Sequence, residues 1–133
     1  MVTGCWFLMD AQLWHDLEGF DPEFFMYGEE ADLCMRAKRR GANPIVSGEP
    51  VIIHYTGASE KNHEGKWVKL LDAEIRLFRR HWGSFSFNIA LLLIDLKVWL
   101  RAIALRLKGK RGEDNVWASI WKRRPEWRRS LAK

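Results

Sequence analysis

The stretch Gly19-Phe20-Asp21-Pro22-Glu23-Phe24-Phe25-Met26-Tyr27-Gly28-Glu29-Glu30-Ala31-Asp32-Leu33-Cys34-Met35-Arg36 joins an aromatic-rich turn to the start of a helix. Asp21-Pro22 favours a turn, and Gly28 can take backbone angles that other residues resist. Behind it, Glu29, Glu30 and Asp32 place acids in a first helical turn, where the helix dipole favours them. Bases gather toward Arg40, and Gly41 predicts the stop. Adjacent carboxylates at such a place either complement the dipole alone or handle a proton or cation.

Working outward, Thr3 to Met9 reads as a buried strand, and Asp10 can cap a short helix through Leu17. Asn43 to Ser47 and Pro50 to His54 read as two short strands around Gly48-Glu49. Thr56 to Gly65 is polar and loop-like. From Lys66 the pattern becomes helical, with Trp67, Leu70, Leu71, Ile75, Phe78 and Trp82 forming one apolar face up to Gly83. Further helical runs cover Phe85 to Leu107 and Asn115 to Trp121.

Charge divides the chain near residue 60. Residues 1–60 hold four Lys/Arg against ten Asp/Glu, a balance of −6, and residues 61–133 hold eighteen against seven, a balance of +11. The acidic half carries the candidate chemistry, and the basic half, rich in tryptophan, should face something anionic. Cys5 and Cys34 lack metal-ligand spacing, so the default is a reducing compartment without a disulfide framework. The opening Met1-Val2-Thr3-Gly4 does not read as a signal peptide.

The first block, together with His54-Tyr55-Thr56-Gly57-Ala58-Ser59, resembles family 2 glycosyltransferases. That family has a GGFDE-x-FF-x-Y-x-ED-x-DLC-x-R segment and a strand ending in H-x-x-G-x-S. The resemblance covers about residues 3 to 82, with a rhamnosyltransferase-like flavour. It implies an α/β fold: an incomplete GT-A domain with a few short strands over residues 1–60, followed by C-terminal helices over 61–133. It implies inverting sugar transfer from a nucleotide-sugar donor to a saccharide or lipid-linked acceptor, in cell-surface polysaccharide synthesis.

By the same resemblance Glu30 stands where the family has its aspartate base, with Glu29 as the alternative. His54 would help hold Mg2+ or Mn2+, or contact the diphosphate; on the residue alone, a lone histidine there is more often a satisfied core residue than a ligand. Trp6, Phe20, Asp21 and Phe24 would shape the acceptor pocket, although Trp6 and Phe24 serve equally as core. Asp32 reads as structural, pairing with Arg36 across one helical turn. The family's Asp-x-Asp motif and nucleotide-binding loops have no counterpart here. The expectation is therefore a fragment, inactive by itself, whose unpaired strand edges invite self-association.

A second reading is non-enzymatic. The apolar core of Phe85 to Leu107, Ile89 to Ile94, is far shorter than the roughly 20 residues a spanning helix needs. Asn88, Asp95 and Arg106 share one side of the helical wheel, nearly opposite Lys97, Arg101 and Lys108. Such a segment suits an interfacial helix or an ordinary packing helix. Trp117, Trp121 and Trp127 among Lys122, Arg123, Arg124, Arg128 and Arg129 favour an anionic membrane surface over nucleic acid, for which no recognised module is present. The location expected is cytoplasmic, peripheral on the inner face of the cell membrane.

Overall fold

The computed structural model describes residues 6–53 and 63–132. It divides into two compact units, Met1–Lys61 and Asn62–Lys133. The elements are α1 (Ala11–Asp16), α2 (Glu29–Arg39), α3 (His63–His81), α4 (Ser84–Leu107), α5 (Val116–Lys122) and α6 (Arg124–Trp127). Two short 3-10 turns, Gly112–Asp114 and Arg129–Ala132, complete them.

In the first unit, Asp10 caps α1 by accepting from the Leu13 amide at 2.9 Å. Leu17, Leu33 and Ala37 form a small core, with Phe7, Met9, Leu13 and Trp14 packed on it. Gly41 turns the chain out of α2 at φ 86, as a glycine stop should.

The expected α/β architecture is not found: the described residues are helix, turn and loop, with no strand and no sheet. Residues 6–9 and 43–53 run without a strand; the start of the first expected strand and the end of the last lie outside the described residues. The physical reason is the lack of partners. Ile45, Val46, Val51 and Ile53 are all largely exposed, so little of their apolar surface is covered among the described residues. A lone pair of short strands with no covered face is marginal in water. Alternation in the sequence marks a capacity for strand, and the ladder needs a neighbour to bond to.

The second unit is a helical bundle. Val68, Leu71, Ile75, Ile94, Val98, Ile120 and Trp127 form its core. Trp127 is fully buried, and its indole Nε1 donates to the Ile120 carbonyl at 2.9 Å. Asn115 is buried with both ends of its amide used. Its oxygen accepts from the Ala118 amide at 3.0 Å, and its nitrogen donates to the Ala102 carbonyl of α4 at 2.9 Å.

Charge fastens the end of the chain to α4. Asp95 accepts from Arg124 Nε at 2.9 Å and from Arg128 Nη2 at 2.8 Å. Burial and the neighbouring Arg124 lower the proton affinity of Arg128, and Asp95 opposes them. Arg123 binds both Glu126 and Glu64, at 2.7 and 3.1 Å, and its hydrogen bonds hold Glu126 below the usual carboxylate range. Trp67 and Trp117 lie 4.9 Å apart, with the Arg101 guanidinium 4.5 Å from the Trp117 ring centre. The tryptophan and arginine residues of the tail are thus mostly committed to the bundle.

Removing a carboxylate shared by two part-buried guanidiniums leaves them uncompensated. Asp95→Ala should destabilise the second unit by about 1–3 kcal/mol, measured by urea denaturation followed by circular dichroism. Arg111→Ala should change stability by less than about 0.5 kcal/mol. Equal effects of the two changes would show that Asp95 does not fasten the tail.

Candidate functional site

The acid turn is built by backbone geometry and one arginine. Tyr27 and Gly28 are consecutive left-handed residues, at φ 70 and φ 88, and Gly28 is the residue before α2. A tyrosine in that region is strained, which is tolerated only where its surroundings hold it. Upstream, Glu18 and Gly19 are left-handed as well. A Cβ on Gly19 would come within 2.8 Å of the Trp14 ring, so the close approach itself requires glycine.

Arg36 holds this loop. Its Nε donates to Asp32 Oδ2 at 2.7 Å, Nη1 to the Leu17 carbonyl at 2.6 Å, and Nη2 to the Gly19 carbonyl at 2.8 Å. Asp32 is fully buried, so its charge is matched at close range by the guanidinium. The structural role read for Asp32 and Arg36 is the one they play. The carbonyls of Leu17 and Gly19 were not legible as partners, because the sequence gives helix spacing and not the path of a loop.

Glu29, Glu30 and Asp32 occupy the first turn of α2. Glu29 and Glu30 are half-buried, and Glu29 Oε2 is shielded from solvent without a hydrogen-bond partner among the described residues. Glu30 lines an apolar groove of about 570 Å³ together with Trp6, Phe7, Met9, Cys34 and Pro44. A carboxylate on the wall of a largely apolar groove can accept a proton from a hydroxyl bound there.

The residues expected around an acceptor separate. Trp6 shares the groove with Glu30. Phe20 instead packs edge-on against Trp14, ring centres 5.2 Å apart, and against Phe7. Phe24 is buried, the core alternative left open by its sequence. Asp21 accepts from the Glu23 amide at 2.8 Å, as an Asx turn does. Phe7, Met9 and Cys34 were not singled out in the sequence. For Cys34 the signal was its i, i+4 relation to Glu30 on one helix face; Phe7 and Met9 carried none.

His54 lies outside the described residues. Among the described residues, no three His, Cys, Asp or Glu side chains converge on one point. Glu29 and Glu30 are oxygen donors of the kind Mg2+ or Mn2+ prefers, but the described residues do not by themselves make a metal site. No helix among them is long and apolar enough to cross a membrane. No family model, curated protein or solved structure matches the chain.

Arg36→Ala should release the loop, costing about 2–3 kcal/mol and raising amide hydrogen exchange at residues 19–24. Arg36→Lys should restore little, since an ammonium cannot reproduce a three-point planar fork. Unchanged exchange in both variants would remove Arg36 from the account of the site.

Proposed function

We propose that this chain carries the acceptor-side acids of an inverting glycosyltransferase acting in cell-surface polysaccharide synthesis at the inner face of the cell membrane. The observation that carries the proposal is Glu30: a first-turn carboxylate on the wall of the groove, at the position where the resemblance to family 2 glycosyltransferases places the base. The Arg36 bonds that fix the preceding loop support it.

In this reading an acceptor hydroxyl binds in the groove with Trp6 beside it. Glu30 takes the hydroxyl proton as the oxygen forms its bond to the anomeric carbon. On the opposite face the bond from that carbon to the diphosphate breaks, and the nucleoside diphosphate leaves with the electron pair. A positioned base of this kind contributes roughly 10²–10⁴-fold. Glu30 is a glutamate where the family has aspartate, so its carboxylate reaches about one methylene further into the groove. Glu29, one residue earlier on the same turn, is the fallback base. Mg2+ or Mn2+ on the diphosphate enters this proposal only through the resemblance.

The test places Glu30→Gln in the natural gene and assays the protein as the cell makes it. Transfer should fall at least about 100-fold while nucleotide-sugar binding, followed by calorimetry, stays near wild type. Glu29→Gln should be milder. Wild-type activity in Glu30→Gln would remove Glu30 as the base.

A further inference from the structure

One face of α4 has no role in the bundle. Its buried residues, Ala90, Ile94 and Val98, look toward the core. Diametrically opposite lie Phe85, Ile89, Leu92, Leu96, Leu100 and Leu107, exposed by 43 to 83%. At 3.6 residues per turn they fall within about a quarter of the helix circumference, along a strip about 33 Å long. A contiguous exposed apolar strip rimmed by polar residues marks an interaction site. Trp99 lies along one edge and Trp82 near its N-terminal end, each more than two-fifths exposed. The groove between α3 and α4, about 430 Å³ and lined by Phe78, Trp82, Ile89 and Leu93, continues the strip on the other side.

We infer that this face of α4 is a docking surface for an anionic lipid bilayer, lying in the plane of the interface with its apolar residues among the acyl chains. The inference does not rest on the glycosyl-transfer reading. Charge complementarity selects the occupant. Residues 61–133 carry eighteen Lys/Arg against seven Asp/Glu, so a second copy would bring +11 against +11, whereas an anionic surface attracts it. The basic residues available for lipid are not the ones the tail composition suggests. Arg123, Arg124 and Arg128 are held in ion pairs. Arg106, Lys108, Lys110 and Arg111 are exposed at the C-terminal end of the strip and make no ion pair among the described residues. An exposed apolar strip with bases at one end and tryptophan at its margins fits an interfacial position.

The full chain is mixed with vesicles of phosphatidylglycerol and phosphatidylcholine, or of phosphatidylcholine alone, and binding is followed by co-sedimentation and tryptophan emission. Binding to the anionic vesicles should weaken steeply with salt and shift emission to the blue. Leu92→Glu with Leu96→Glu, both at exposed positions, should weaken it at least about tenfold with helical circular dichroism unchanged. Arg106→Glu with Lys108→Glu should weaken it comparably at low salt. Wild-type binding by the leucine variant, or equal binding to neutral vesicles, would overturn the inference. So would a dimer in sedimentation equilibrium that the leucine variant converts to monomer while vesicles bind nothing, since the face would then belong to a second copy.

Discussion

Arg36 reaches from the middle of α2 back to the carbonyls of Leu17 and Gly19 while pairing with the buried Asp32. The first unit depends on that three-point fork. Its apolar core is small, and the loop between α1 and α2 contains left-handed positions at Glu18, Gly19, Tyr27 and Gly28. Left-handed backbone at two non-glycine residues costs on the order of 1–3 kcal/mol each and must be offset by contacts around it. Around Glu18 the guanidinium supplies them, with charge-assisted bonds to the Leu17 and Gly19 carbonyls on either side. The left-handed pair Tyr27 and Gly28 then turns the chain into α2, where Glu29 and Glu30 stand in the first turn.

The second unit answers a different constraint. α4 carries apolar residues on two opposite faces, so it does not divide into one apolar and one polar face as a typical surface helix does. One side is satisfied by α3, α5 and the tail, and Asp95 is drawn into that packing by Arg124 and Arg128. The opposite side is left apolar and exposed. Asp95, the one acid of α4, serves as the point that ties the tail to the bundle.

Helix ends were legible because their chemistry is local. Asp10 caps α1 and Asn115 caps α5 through side-chain bonds three residues ahead, and Gly41 and Gly83 bound α2 and α4 where glycine punctuation predicts. The pairing of Asp32 with Arg36 followed from helical spacing. The strands were misjudged because alternation describes one chain while a ladder requires two; Ile45, Val46, Val51 and Ile53 have the pattern and no partner. The tail's composition left two readings open. Tryptophan and arginine in alternation suit a membrane surface, yet they suit equally a bundle in which Trp127 is core and Arg124 binds Asp95. At the site, Glu30, read from the motif, lines one groove with Trp6. That Phe24 is buried, and that Cys34 joins Glu30 on the groove wall, required the path of the loop.

The stereochemistry of the transferred sugar tests the central claim most directly. In the proposed reaction, direct attack by an acceptor oxygen deprotonated by Glu30 would invert the anomeric centre, because the nucleophile would enter opposite the leaving diphosphate. The natural protein is supplied with a nucleotide sugar and a lipid-linked saccharide acceptor, and the anomeric configuration of the product is read by proton NMR before it can equilibrate. The account predicts a product of configuration opposite to the donor. A product of retained configuration, or no transfer to any hydroxyl acceptor, would contradict it.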